Sequence, residues 1–81
     1  MATRENFLIL LNGEALQTRH KWNAANRAIE QYVGELAKAE GKDYRLADSH
    51  SEKVGFYHVS GFRVWEREDG LALRFEVEKV G

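Results

Sequence analysis

The pair Asp69-Gly70 lies between two segments of alternating polar and apolar residues, and it constrains the fold more than any other feature. A two-residue turn of type I′ needs positive φ at both central positions, which Asp followed by Gly tolerates best. The pattern therefore predicts a β-hairpin over residues 61–78. With Glu68 opposite Leu71, the facing pairs are predicted to be Phe62/Val77, Arg63/Glu76, Val64/Phe75, Trp65/Arg74 and Glu66/Leu73.

The two faces of this hairpin are predicted to differ in character, because side chains alternate sides along a strand. The face predicted to meet the core holds Phe62, Val64, Leu73, Phe75 and Val77. The other face is predicted to hold an ion pair between Arg63 and Glu76 and a cation–π contact between Arg74 and Trp65. Each such cross-strand pair contributes about 0.2–1 kcal/mol.

Composition limits the class of protein. The 81 residues predict one small domain over 1–81 with a single core. A net charge of −1 argues against binding to duplex DNA by bulk charge, and the absence of cysteine excludes disulfides, thiolate metal sites and a cysteine nucleophile. The sequence shows neither a signal-peptide layout nor an apolar segment long enough to span a bilayer, so we expect a cytoplasmic protein without a membrane partner.

The unbroken apolar run Phe7 to Leu11, between Asn6 and Asn12-Gly13, predicts a strand that is covered on both faces. Only one helix is predicted in the chain, so it can cover one of these faces. Either Leu8 and Leu10 or their neighbours Phe7, Ile9 and Leu11 are therefore expected on a surface that something else covers.

Helical spacing predicts one long helix from Thr18 to Glu40, with Thr18 as N-cap. Gly41 suits the position after the helix end, and Lys38 lies in the last turn, where a cation is favoured. The predicted apolar stripe consists of Trp22, Ala25, Ile29, either Tyr32 or Val33, and Leu36.

The segment after the helix is predicted to hold a brief edge strand at Lys42–Asp48, a polar loop at Ser49–Lys53 and a further strand at Val54–Val59. Ser60-Gly61 is then either a tight turn or a bulge within one bent strand. A turn would place Phe56 beside Trp65 on the outer face, whereas a bulge leaves Phe56 and Tyr57 as alternatives there. The predicted fold is an α+β two-layer sandwich, β-α-β-β-β, with a mainly antiparallel sheet and one long helix packed on one face.

The sequence contains little that indicates catalysis. Asp48, His50 and Glu52 could form a weak divalent-metal site on an extended segment, although a solvated polar loop is the interpretation that we favour. Ser49 and Ser51 are too near His50 in sequence to form a catalytic triad with it. We therefore expect no catalytic residue, metal or cofactor, and a chain that is not an enzyme.

The outer sheet face and the acidic hairpin are predicted to be a binding surface, because aromatic residues and arginine are the usual anchors of protein interfaces. The expected partner is another protein or a second copy of the chain in a homodimer. The predicted partner-binding residues are Leu8, Leu10, Phe56, Arg63, Trp65, Arg67, Arg74 and Glu76.

An alternative is a small protein that binds single-stranded nucleic acid through Arg63, Trp65 and Arg74, since stacking rings and arginine on an open sheet hold unpaired bases. Glu76 and Glu78 nearby, and the slightly negative net charge, argue against it. In format, a compact domain without cysteine, proline or a catalytic constellation resembles the small proteins encoded by phages and mobile elements, including anti-CRISPR inhibitors of bacterial defence. That resemblance implies an inhibitor that acts by protein contact.

Overall fold

The computed structural model describes residues 6–80, which form five strands and one helix. The five strands form one antiparallel sheet in the order β2-β1-β5-β4-β3, and the helix α1 packs on one face of it, which confirms the α+β class. The elements are β1 (Phe7–Leu11), β2 (Glu14–Arg19), α1 (Trp22–Glu40), β3 (Tyr44–Val54), β4 (Tyr57–Arg67) and β5 (Ala72–Lys79).

Strand β2 occupies residues that were expected to lead into the helix, and α1 begins at Trp22 rather than at Thr18. Asn12 and Gly13 have φ values of 50° and 86°, so they form a two-residue turn that folds β2 back antiparallel onto β1. The element order is therefore β-β-α-β-β-β. The helix ends as predicted, with Gly41 in the left-handed region and its N–H donated to the Ala37 carbonyl.

The β4–β5 register differs by one residue from the register predicted. Positive φ is confined to Gly70 in this turn, at 97°, so the connection is a three-residue loop rather than a type I′ turn at Asp69-Gly70. The Arg67 amide donates to the Leu71 carbonyl at 2.7 Å and closes the loop. The observed pairs include Gly61/Val77, Phe62/Glu76, Arg63/Phe75, Val64/Arg74, Trp65/Leu73 and Glu66/Ala72.

A slip of one residue moves every side chain of a strand to the opposite face. Strand β5 keeps its predicted orientation, with Phe75 and Val77 buried. Strand β4 is reversed, so Phe62 and Val64 face away from the helix, whereas the predicted outer residues Arg63, Trp65 and Arg67 lie on the helix side.

The segment predicted as a loop at Ser49–Lys53 belongs to β3, which is one strand of 11 residues at the sheet edge. The chain turns at Gly55 and Phe56, between the paired residues Val54 and Tyr57. Ser60-Gly61 is not a turn. The bulge alternative is close to what is found, since β4 continues through this point and the register with β3 shifts beside it, where Val59 is left unpaired.

The core lies between α1 and the central strands. Its buried side chains are Phe7, Ile9, Ala25, Ala28, Ile29, Val33, Phe75 and Val77. Of the residues predicted for the helix stripe, Trp22 and Leu36 are half-buried. The ring of Tyr32 meets the Phe75 ring edge-on, with 5.9 Å between centroids, and so ties the helix to β5.

Candidate protein-binding surface

The sheet face opposite α1, called the open face here, is not covered by any element among residues 6–80. Because strand pairing fixes the side of the sheet on which each residue lies, the register shows which residues belong to the open face. The open face consists of Leu8, Leu10, Ala15, Thr18, Arg45, Asp48, His50, Glu52, Ser60, Phe62, Val64, Glu66, Ala72, Arg74, Glu76 and Glu78.

Four half-buried apolar side chains form the hydrophobic part of the open face. Leu8 and Leu10 come from β1, where they alternate with the buried Phe7 and Ile9. Phe62 and Val64 come from β4, two strands away. The open face therefore has apolar groups on both sides of the charged residues Arg74, Glu76 and Glu78 of β5.

Charged residues lie between and around these apolar groups, and carboxylates outnumber cations. Two ion pairs join neighbours within the face: Arg45 with Glu66 at 2.9 Å and Arg74 with Glu76 at 3.1 Å. Among residues 6–80, the carboxylates of this face without an arginine partner are Asp48, Glu52 and Glu78. The open face consequently has an acidic excess, although the chain as a whole is nearly neutral.

A shallow depression of about 280 Å³ lies on this face around Phe62. The Arg74 guanidinium carbon lies 4.4 Å from the centre of the Phe62 ring, which is a cation–π contact within the chain. The sequence predicted such a contact between Arg74 and Trp65; the register slip replaces Trp65 with Phe62. The His50 ring borders Phe62 on the other side, with 5.7 Å between centroids.

The β3–β4 turn forms a projecting hairpin tip, residues 53–57, with several exposed apolar side chains. Phe56 is 95% exposed, and Val54 and Tyr57 are 68% and 63% exposed. Gly55 provides the positive φ that the turn requires. Phe56 therefore belongs to neither sheet face, so the alternative in which a turn at Ser60-Gly61 places it beside Trp65 is wrong.

The structure divides the predicted partner-binding residues between three places. Leu8, Leu10, Arg74 and Glu76 lie on the open face and Phe56 lies at the tip. The other three, Arg63, Trp65 and Arg67, lie on the helix side. Arg63, Trp65 and Arg74 do not share a surface, which removes the stacking platform of the nucleic-acid alternative.

Arg67 is the centre of a charged cluster that fastens the β4–β5 loop to the end of α1. It donates to both carboxylate oxygens of Asp69, at 2.6 and 2.7 Å, and to Glu40 at 3.2 Å. The hydrogen bonds to Arg67 hold the pKa of Asp69 at about 2, well below its ordinary value. The Tyr44 hydroxyl donates to Glu40 at 2.6 Å, and this bond raises the pKa of Tyr44. Arg67 is thus a structural residue, with its side chain 19% exposed.

A second and larger cavity, about 450 Å³, lies on the helix side of the β3–β4 hairpin. It is called the helix-side cavity here and is lined by Trp22, Ser49, His50, Ser51, His58 and Arg63. Sequence patterns did not indicate it, because Ser49 and Ser51 were assigned to a loop and Arg63 to the outer face. The alternation of Ser49 and Ser51, once they are placed on a strand, is the signal that would have put both on one side.

Residues Asp48, His50 and Glu52 follow one another on the open side of β3, and His50 Nε2 lies 3.5 Å from Glu52 Oε1. Over residues 6–80, no group of three or more His, Cys, Asp or Glu side chains is arranged to hold a metal ion. The helix in that range is too polar to cross a membrane. Comparisons of the chain with protein-family models, curated proteins and solved structures find no match.

Proposed function

We propose that this chain is a non-enzymatic binding protein that contacts a protein partner through the open face. The observation that supports this most directly is the pair of apolar groups, Leu8 with Leu10 and Phe62 with Val64, on a sheet face that α1 does not cover. Apolar side chains that remain partly exposed and are flanked by polar ones are typical of an interaction site. The exposed Phe56 at the hairpin tip extends the same contact region.

The charges of the open face favour a partner with a basic surface. Asp48, Glu52 and Glu78 have no arginine partner in the part of the chain that the structure describes, so the face attracts cations and repels other acidic surfaces. Two copies packed face to face would bring these carboxylates together. Electrostatic complementarity of this kind mainly sets partner choice and the rate of encounter, so binding is expected to weaken as salt concentration rises.

The inhibitor role that the format of the chain implies belongs to the same proposal. A small domain that occludes a functional surface of its partner needs a shaped contact face and no catalytic group. The absence of cysteine is compatible with action in the cytoplasm, where a phage or mobile-element protein would meet its target.

The first experiment is a solution mass by light scattering over a concentration series. We expect a monomer at low and high salt concentration. The proposal would be contradicted by a dimer that is lost in Phe62→Ser while the circular dichroism spectrum stays unchanged. That result would assign the open face to contact with a second copy.

The second experiment uses site-specific photocrosslinking in cell extract. A benzophenone amino acid is placed at Leu10 on the open face and, as the matched control, at Gln31 on the exposed side of α1. We expect a discrete adduct from position 10 that is lost when Phe62→Ser is added and that decreases at 0.5 M salt. Equal adducts from both positions, or an adduct from position 31 alone, would place the contact elsewhere.

A further inference from the structure

We propose that the helix-side cavity binds an oxyanion, namely the phosphate or carboxylate group of a small molecule. This proposal is independent of the open face, because Trp22, Ser49, Ser51, His58 and Arg63 lie on the helix side of the sheet; His50, which also lines the cavity, is shared with the open face. It is formed where the first turn of α1, with Trp22, faces the outer halves of β3 and β4.

The lining of the cavity is rich in hydrogen-bond donors and includes no carboxylate. Ser49 and Ser51 lie two residues apart on β3 and so present their hydroxyls on the same side. Arg63 is the residue paired with Ser49 on the neighbouring strand, which brings its guanidinium to the same cavity. A guanidinium beside hydroxyl groups is the usual chemistry of phosphate and carboxylate recognition.

Two of the polar groups have unused hydrogen-bonding capacity. Nδ1 of His58, which lines the cavity, is buried and has no hydrogen-bond partner among the described residues 6–80. Arg63 Nη1 lies 3.6 Å from Glu30 Oε1, which is longer than a hydrogen bond, and Glu30 is 59% exposed. A ligand oxygen in the cavity could therefore bind Arg63 without displacing a formed hydrogen bond.

Ring packing holds one side of the cavity in place before any ligand arrives. The indole of Trp22 stacks on the His58 ring at 4.4 Å, and its other contact is the edge of Phe7 at 5.7 Å. Gly61 lets the indole approach the sheet, since an added Cβ would lie 2.8 Å from Trp22 Cη2. A cavity of about 450 Å³ exceeds the size of a bare oxyanion and lies within the range of small-molecule sites, so the ligand has an organic part beside the oxyanion.

The test compares three probes that share a ring and differ in the polar group: phenyl phosphate, benzoate and benzyl alcohol. Each is titrated into the ¹⁵N-labelled full chain while amide shifts are followed by NMR. We expect the amide signals of Ser49, Ser51 and His58 to move with one or both anions and not with benzyl alcohol. The anion that binds with the lower Kd identifies phosphate or carboxylate as the preferred group.

Variants then locate the site. Arg63→Gln should raise Kd for the anion by about tenfold, the effect of losing one charge-assisted contact. Arg74→Gln, which removes the same group from the opposite face, should change Kd by less than about twofold, the size of a screened distant charge. Glu30→Gln removes the carboxylate that competes for Arg63 and should tighten binding.

Several outcomes would overturn the proposal. These are an equal response to benzyl alcohol, equal weakening by Arg63→Gln and Arg74→Gln, shifts that cluster away from the cavity, or no shift with either anion. If Arg63→Gln does not fold, Glu30→Gln is sufficient as the test, because an exposed helix residue can be replaced without loss of the core. Anion binding that is unchanged or weaker in Glu30→Gln would then refute the assignment.

Discussion

The indole of Trp22 lies parallel to the imidazole of His58, with 4.4 Å between ring centroids and 1° between ring planes. His58 precedes the part of β4 that pairs with β5, which begins at Ser60. The stack therefore joins the first residue of α1 to a region of the β3–β4 hairpin that the central sheet does not support. It also defines one side of the helix-side cavity.

Gly61→Ala should destabilise the protein by about 1–3 kcal/mol, the usual cost of overpacking. The new Cβ would lie 2.6 Å from the His50 carbonyl oxygen and 2.8 Å from Trp22 Cη2. Gly34→Ala is the matched control, since nothing lies within 4 Å of its added Cβ, and it should stabilise the helix by about 0.5–1 kcal/mol. Urea denaturation of both variants measures the difference, and equal effects would contradict the close approach of Trp22.

Phe75→Ala should lower the free energy of unfolding by about 3–5 kcal/mol, because the ring is fully buried and contacts Tyr32. The same substitution at Phe56, which is 95% exposed, should change it by less than about 0.5 kcal/mol. Thermal and chemical unfolding of the pair give the measurement. A large loss in Phe56→Ala would mean that the hairpin tip packs against other residues in solution.

Asp69→Asn should make stability less dependent on pH. The pKa of Asp69 in the folded protein is about 2, below its ordinary value of 3.8, so the ionised carboxylate stabilises the fold above about pH 4. That contribution is lost as the pH falls toward 2, where wild-type Asp69 becomes protonated. Asp69→Asn should therefore be less stable than the wild type at pH 6, and the difference should shrink at lower pH.

The control for this titration is Glu68→Gln, one position earlier in the same loop. Glu68 is exposed and forms no ion pair with the residues that the structure describes. The substitution Glu68→Gln should change the unfolding free energy little at pH 6 or at lower pH. A difference in unfolding free energy between wild type and Asp69→Asn that stayed constant from pH 6 to pH 2 would argue against the Arg67–Asp69 contact.

Two substitutions at Asn12 should separate backbone strain from a lost hydrogen bond. Asn12 has a φ of 50°, and its side-chain oxygen accepts from the Arg74 amide at 3.1 Å. Asn12→Gly keeps the conformation and should cost about 0.5–1.5 kcal/mol, whereas Asn12→Ala adds a left-handed alanine at about 1–2 kcal/mol more. The order of urea midpoints should be wild type, then glycine, then alanine; a reversed order would show that the turn is not left-handed.

The elements that sequence predicted correctly are those with strong local patterns. The apolar run at Phe7–Leu11, the helical stripe and the end of α1 at Gly41 follow from residue spacing alone. Strand β2 was missed because Glu14–Arg19 has little apolar alternation and is held by pairing with β1. The Asn12-Gly13 turn was the available signal, since that dipeptide is a strong hairpin indicator.

The location of the candidate surface depended on one turn. Sequence alone does not separate a two-residue turn from a three-residue loop at Glu68-Asp69-Gly70, because Gly70 suits the positive φ that both connections require. In the structure the three-residue loop is accompanied by the Arg67–Asp69 contact. That choice reversed the faces of β4, so Phe62 and Val64 rather than Arg63 and Trp65 lie on the open face. Alternation placed Arg74 and Glu76 on one face, and there the structure agrees; it left two alternatives for β1, of which the structure shows the one with Leu8 and Leu10 on the open face.

The long edge strand β3 has a consequence for how the molecule opens. It pairs on one side only, with β4, and residues 45–54 are all exposed, whereas the core is formed by α1, β1 and β5. Amide hydrogens of the outer β3–β4 hairpin should then exchange through local fraying, long before those of β5 exchange through global unfolding. A partner could reshape this arm on binding while the core stays folded.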